Sequence, residues 1–409
     1  MRLLPDQQFM SVQINGERTM KFVHLSDLHL GKRVNEFPMT EDQRFILNEI
    51  IGIIKKENPQ AVLIAGDIYD KPVPPAEAVE LFDSFISELA EMDLEIFIIS
   101  GNHDSAERLS FGSRIMDRRG VHFAGGYDGK THMFSVPDEF GSVNIYMLPF
   151  LKPSHVRSVM DREGLPEEER QKIVSYTDAA AYAISRMNVD PCERNVIVSH
   201  QFVTGSLRSD SEEISVGGLD NVDDKVYEAF DYAALGHLHI AQNTGSARIR
   251  YSGSPLKYSF SEAGHDKTVT IVELGEKKDS VCSCDLNCPV LEPLRDLKVL
   301  KGKFADLTDK NYYRDIKTDD YFRIILTDED DVIGALGVLR SVYPNIMRLE
   351  YDNTRSRAVS SLSDVSETDG RSPLEIFGNL YESQNGKAMD EEQIKIVSEM
   401  IDHIWSEQK

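Results

Sequence analysis

The stretch Lys21–Lys32, KFVHLSDLHLGK, decides the fold: an apolar run, FVHLS, stops at Asp27, and His29 follows two residues later. A short run rich in β-branched and aromatic residues reads as a buried strand. The same pattern recurs at VLIAG before Asp67, IFIISG before Asn102, VIVS before His200 and YAALG before His237. In an open α/β sheet the functional crevice lies beyond the carboxyl ends of the strands, so these endings are expected to converge. Asp27-Leu28-His29 and His237-Leu238-His239 each add a second group, and a period of two in extended backbone places both on one side. The groups facing one pocket are then Asp27, His29, Asp67, Asn102, His200, His237 and His239.

That set is what two divalent cations need when they share a carboxylate and keep positions open for water and substrate. Carboxylate, imidazole and amide oxygen without thiolate suit Mn²⁺, Fe²⁺ or Zn²⁺ better than a structural zinc. Asp67 is expected to bridge, with Asp27, His29 and His239 completing one ion and Asn102, His200 and His237 the other. Such a pair activates water and stabilises both oxygens of an in-line displacement at phosphorus. In Gly101-Asn102-His103-Asp104, His103 is the expected proton donor to the leaving oxygen, and Asp104 is expected to orient its ring and raise its pKa. Taken singly, each motif also has a plain structural reading; Gly66-Asp67, for instance, suits an ordinary turn before a helix.

The first half alternates strands with helical patterns. Thr40 with Gln43 reads as a capping box for a helix to about Lys56. Pro74-Pro75 opens a second helix to about Met92, and the strand Glu95–Ser100 follows, giving a βαβαβ start with right-handed crossovers. Short strands dominate 131–149 and 196–274, with a helix expected over Pro166–Met187. Leu294–Asp352 reads as a small α+β unit with strands at Tyr321–Leu326 and Asn345–Tyr351 and a helix at Asp331–Val342. The stretch 353–370 is rich in Ser, Asp and Thr and reads as a linker. Beyond it, Leu374, Phe377 and Leu380, then Ile394, Val397, Ile401 and Trp405, fall at helical spacing. These two helices either pack on their own core or dock on a partner helix.

At 409 residues with 41% hydrophobic and 28% charged content, the chain reads as globular with room for more than one domain. No apolar run has the length of a membrane span and residues 1–19 lack a secretory signal, so a cytoplasmic location without membrane attachment is expected. Residues 1–19 are either an extension or lie before an initiator at Met20. Cysteines at 192, 282, 284 and 288 form neither a disulfide framework nor a zinc ribbon. The net charge of −24 opposes a general electrostatic footprint for nucleic acid, although bound cations or a partner subunit can supply positive charge locally. Candidates for phosphate contact are Lys32, Arg33, Arg108, Arg208 and Lys257, each of which also reads as a solvated surface charge.

The ordered set DLHLG, GDIYD, GNHD, SHQF and GHLH resembles the calcineurin-like metallophosphoesterases. With SDSEEISVGG at Ser209 and YSGSPLKYSFSEAGHDK at Tyr251, the chain is similar to the SbcD-type bacterial nuclease subunits from about Met20 to its end. The resemblance implies a four-layer α/β/β/α sandwich over 20–290, a capping domain over 291–352, the linker 353–370 and a helical partner-binding pair over 371–409. It carries the metal role onto the seven residues above, the catalytic role onto His103, and that of its partner onto Asp104. It further implies Mn²⁺-dependent exonuclease action on duplex DNA ends and endonuclease action on hairpins or single strands, in DNA repair and recombination. The implied assembly is a homodimer within a heterotetramer that includes an SbcC-type coiled-coil ATPase. Asp70 stands where some relatives carry a histidine linked to the choice between exo and endo attack, so that choice stays open. Read without the resemblance, the acidic balance also suits a phosphoesterase of nucleotides or small phosphodiesters, and a metal-free scaffold is the non-enzyme alternative.

Overall fold

The structure, a computed structural model, describes residues 19–212, 220–279, 281–354, 374, 377–378, 381 and 388–406. It divides into two compact units, Met1–Leu297 and Lys298–Lys409.

In the first unit β1 (Met20–Leu25), α1 (Thr40–Glu57), β2 (Ala61–Ala65), α2 (Ala76–Ala90), β3 (Glu95–Ile99) and β4 (Val121–Ala124) form the expected crossover series. There follow β5 (His132–Asp138), β6 (Gly141–Leu148), α3 (Pro153–Arg162), α4 (Tyr176–Ser185), β7 (Arg194–His200) and β8 (Tyr232–Gly236). The unit closes with β9 (Gln242–Thr244), β10 (Ser246–Tyr251), β11 (Thr270–Lys278) and β12 (Val281–Asn287). One six-stranded sheet has the order β12-β11-β1-β2-β3-β4 and the other β9-β10-β8-β7-β6-β5. The inner strands β1, β2 and β3 are mutually parallel, as are β6, β7, β8 and β10.

Alternation along these strands makes the layers, because successive side chains point to opposite faces. Phe22, Leu63, Phe97 and Ile99 of one sheet share a buried cluster with Ile145, Met147, Val196, Val198 and Tyr232 of the other. On the far face of the second sheet, Tyr146, Leu148, Ile197 and Leu235 pack with Val156 and Met160 of α3 and Ala180 and Ala183 of α4. The far-face residues of the first sheet, Val23, Val62, Ile64, Ile96 and Ile98, are fully buried, as are Ile46, Ile50 and Ile54 of α1 and Leu89 of α2. The result is an α/β/β/α sandwich. Among the described residues no helix is long and apolar enough to cross a membrane.

Three local expectations fail for physical reasons. Helix α1 starts after Met39 with no side-chain cap. Gln43 instead turns inward, accepting from Gly31 N (3.0 Å) and donating to His29 O (2.7 Å) and Tyr258 Oη (3.1 Å). The single helix expected over Pro166–Met187 is broken, because Ser175 and Asp178 form a true capping box that starts α4 afresh. Helix α3, opened by Pro153 in its first turn, was not foreseen at all.

In the second unit β13 (Leu297–Gly302), β14 (Tyr321–Leu326) and β15 (Ile346–Tyr351) form one sheet in that order, with α5 (Ala335–Val342) beside it. Phe322, Ile324, Leu326, Leu339 and Tyr343 make its core. Strand β13 is absent from the sequence reading, since Lys298 and Lys301 interrupt its apolar residues and leave no clean period of two. Helix α6 (Glu391–Ser406) is capped reciprocally by Asp390 and Gln393. Of the proposed docking residues, Phe377 and Ile394 are exposed, whereas Leu374, Val397 and Ile401 are half-buried. Leu380, the side chain of Trp405, residues 1–18 and the stretch 355–373 lie outside the described residues.

Candidate metal centre

Neighbouring parallel strands end side by side: Leu25 pairs Ile64, Ala65 pairs Ile99, and Gly236 pairs His200. The turn after β1 is laced to the turn after β2 by Asp27 N→Gly66 O (3.0 Å), His29 N→Asp67 O (2.9 Å) and Leu30 N→Ile68 O (2.9 Å). The reason given for the Asp-x-His pairs needs correcting, because the backbone there is not extended. Asp27, His29, Asp67 and His237 have φ of 53°, 44°, 50° and 103°. Non-glycine residues take up this left-handed region at a cost of about 1–3 kcal/mol each and persist only where the surroundings hold them. It is the tight turns, locked by backbone bonds, that aim both members of each pair inward.

The two sheets meet at the site with no room to spare. His200 Nδ1 donates to Ala65 O across the sheets (2.7 Å). A Cβ on Gly236 would lie 1.9 Å from Ala65 O, and one on Gly101 would lie 2.0 Å from Asp67 Oδ1. Buried His24 ties the sheets again, through Tyr232 Oη (3.0 Å) and Leu235 O (3.1 Å).

The sequence residues gather as follows. Asp27, His29 and His239 offer donor atoms within 4.8 Å of one another, and so do Asp27, Asp67 and His200. His29 Nε2 faces His239 Nε2 at 3.0 Å. Asn102 Oδ1 lies 3.0 Å from His200 Nε2 and 2.9 Å from His237 Nδ1. Asp67 Oδ2 stands between the two sets, 3.3 Å from His200 Nε2 and 3.6 Å from His29 Nε2. His29, His239, His200, Asp27 and Asp67 are all essentially inaccessible to solvent.

Electrostatics follow from that burial. Burial pushes the Asp27 carboxyl up to about 8, against the pull of His200. It pushes His237 down to about 3 and holds His29 and His239 well below the ordinary imidazole value, so their rings are neutral, the form that binds metals. His200 is raised to about 9, because Asp67 beside it outweighs burial. Several ligand-type atoms facing one another is costly in a dry pocket unless a cation lies between them.

The donor set fits divalent cations on a further observation. His29 Nδ1 is buried with no hydrogen-bond partner, and Asp70 Oδ1 is 3.7 Å away. A cation held by Nε2 would leave the ring proton on Nδ1, on the side of that carboxylate. His200 is already set: its Nδ1–H is used by Ala65 O, which leaves Nε2 facing Asn102 and Asp67.

Asp104 does not play its expected part. Its carboxylate accepts from Ile68 N (3.1 Å), Tyr69 N (3.0 Å) and Gly101 N (2.9 Å), pinning two loops together. The partner of the His103 ring is the backbone: Nδ1 donates to Asp70 O at 3.0 Å, and His103 N donates to Asp67 Oδ1 at 2.9 Å. The phosphate-contact candidates are mostly engaged. Lys32 pairs with Asp70 (2.7 Å), Arg208 with Asp220 (3.1 Å) while lying 3.5 Å over the Phe202 ring, and Lys257 with Asp296 (2.9 Å). Arg33 and Arg108 are exposed.

Residues that sequence reasoning passed over brace the site. Ser211, Glu212, Glu262 and Lys267 surround His239, with Lys267 Nζ donating to His239 O (2.7 Å) and Glu262 Oε2 (2.5 Å). They lie in the segments SDSEE and SFSEAGHDK, which carried the family resemblance in the sequence without any role being assigned to these four residues.

Comparison with known proteins adds two domain matches. Residues 20–241 match the family model described as calcineurin-like phosphoesterase, and residues 293–385 match the one described as type 5 capsule protein repressor C-terminal domain. Among solved structures, a dimetal phosphatase from Danio rerio is 12% identical, with 68% of this chain and 98% of that chain covered and a TM-score of 0.37. A protein of Thermus thermophilus is 9% identical, with 66% and 99% covered and a TM-score of 0.36. Overlaps of that size carry no argument about this chain.

Proposed function

The chain belongs to the calcineurin-like phosphoesterases and carries an SbcD-type C-terminal domain, and from that premise we propose that it is the nuclease subunit of a DNA end-processing complex. The observation that supports this reading best is the convergence of Asp27, His29, Asp67, Asn102, His200, His237 and His239 on one buried pocket beside His103. Asp67 would be the shared carboxylate, Asp27, His29 and His239 would hold one cation, and Asn102, His200 and His237 would hold the other. When bound there, two divalent ions, Mn²⁺ in our reading, would supply Lewis-acid polarisation of a phosphodiester and activation of water.

The protein's own groups do the rest. His103, with Nδ1–H fixed on Asp70 O, presents Nε2 to the leaving oxygen and delivers a proton there. Asp104 keeps the loops after β2 and β3 in register rather than acting on the ring. The strained turns at Asp27, Asp67 and His237 hold the ligands in place before any ion arrives, which lowers the reorganisation needed at the moment of reaction.

DNA, an SbcC-type coiled-coil ATPase and a second copy of this chain complete the reading. The segment 371–409, which includes α6, is the docking segment for the ATPase. Phe111 and Ile115, 85% and 76% exposed in the segment after His103, offer apolar surface for the second copy. Hydrolysis of nucleotides or small phosphodiesters is the second reading, favoured by the −24 charge and by the carboxylates that already occupy Lys32, Arg208 and Lys257. The discriminating assay uses bis-p-nitrophenyl phosphate and an end-labelled hairpin duplex, with Mn²⁺ or Mg²⁺, with and without the ATPase and ATP. Cleavage of the hairpin supports the nuclease; cleavage of the small diester alone supports the second reading.

A further inference from the structure

At Ser211 two acceptors compete for one proton. Its Oγ lies 2.6 Å from His239 Nδ1 and 2.6 Å from Glu262 Oε1, and a hydroxyl donates only once. Glu262 is fully buried and ion-paired with Lys267, and a carboxylate in such a pair offers Ser211 only acceptor oxygens. The Ser211 proton therefore belongs to Glu262, and His239 must bring its own proton on Nδ1. Ser209 Oγ lies 2.7 Å from Ser211 Oγ and 3.2 Å from Glu212 Oε1, and the shorter contact takes its one proton, which fills the acceptor capacity of the Ser211 oxygen. The consequence lies on the other side of the ring: Nε2 of His239 keeps its lone pair and aims it into the pocket, at His29 Nε2.

The next residue grips the same histidine by its backbone. Glu212 Oε1 accepts from His239 N (2.7 Å) while Oε2 accepts from Ser209 N (2.8 Å). Ser209–Glu212 contains no candidate ligand, yet it holds His239 at both ring and main chain. We propose that Ser209–Glu212 is a retention strap for the cation bound by His239, with Ser211 the positioning residue that fixes the tautomer of the ring; this rests on the two-metal reading above. Coupling of this kind is reciprocal, so the cation in turn orders the strap.

The test is a Mn²⁺ titration of the full chain, followed by the electron paramagnetic resonance of free Mn²⁺, on wild type, Ser211→Ala and Ser211→Thr. Wild type should take up two ions per chain. Ser211→Ala should weaken one site about 10–100-fold and leave the other unchanged, and Ser211→Thr, which keeps the hydroxyl, should restore it. Ser211→Ala should lower the urea midpoint further in Mn²⁺ than in EDTA, and amide exchange across 209–212 should slow on adding Mn²⁺ in wild type and Ser211→Thr but not in Ser211→Ala. Two wild-type sites in Ser211→Ala, equal weakening of both sites, or a midpoint that drops as far in EDTA as in Mn²⁺ would overturn the strap. Fewer than two ions on wild type would instead overturn the two-metal reading.

Discussion

Gly236→Ala is the sharpest probe of how the site is built. Gly236 has no unusual backbone conformation to lose, so only space is at issue. The new methyl would sit 1.9 Å from Ala65 O and 2.8 Å from His200 Nδ1, roughly 1.5 Å inside ordinary van der Waals contact with the oxygen. Both neighbours are rigid: one is the backbone of β2, the other a buried ring. Relief requires β8 to draw away from β2, which breaks the His200–Ala65 hydrogen bond (2.7 Å). Overpacking costs about 1–3 kcal/mol and the orphaned buried donor about 1–3 kcal/mol more. We expect urea denaturation in EDTA to show a loss of about 2–5 kcal/mol, together with weakened Mn²⁺ binding because His200 is a proposed ligand. Gly52→Ala is the control: it lies in α1 with nothing within 4 Å of the added carbon, and the change should stabilise by up to about 1 kcal/mol. A Gly236→Ala protein with the wild-type midpoint and undiminished metal uptake would refute the close approach of the two sheets as the frame of the site.

His103→Ala should keep both cations and lose about 10²–10⁴-fold in turnover, since it removes a proton donor and no ligand; loss of metal from the variant would contradict the role. His24, which burial pushes down to about 3 from 6.5, stays neutral in the fold while the unfolded chain takes up a proton below pH 6.5. The associated stability is complete above about pH 6.5 and falls as the pH drops toward 3, by up to about 1.4 kcal/mol per pH unit. Urea titrations in EDTA at pH 7, 6 and 5 should show a shallower pH slope in His24→Asn, and equal slopes would tell against this. Deleting residues 371–409 should leave hydrolysis of a small diester intact and abolish co-purification with the ATPase; retained complex would rule out docking there.

The site was more legible in the sequence than its supports. Five strand endings could be read because a fully buried parallel strand is an unbroken apolar run, and the residue after it stands out. Asp27 and His29 were placed together for the wrong reason, because turns that force aspartate and histidine into left-handed backbone leave no compositional trace. Gln43 looked like a helix cap and is a buried brace, since its partners Gly31, His29 and Tyr258 are brought near only by folding. Asp104 looked like the partner of the residue beside it, but three backbone amides from two loops outbid the ring for its oxygens. Ser211, Glu262 and Lys267 went unseen because their meaning comes from His239, up to 28 positions away.

The central claim is that distant segments of this chain assemble a centre for two cations bridged by Asp67, and electron paramagnetic resonance of the Mn²⁺-loaded protein tests it most directly. Wild type should show a spin-coupled pair, two ions per chain, and Asp67→Asn should lose the coupling and bind both ions more weakly. A single uncoupled Mn²⁺ in wild type, or a coupled pair that survives Asp67→Asn unchanged, would contradict it.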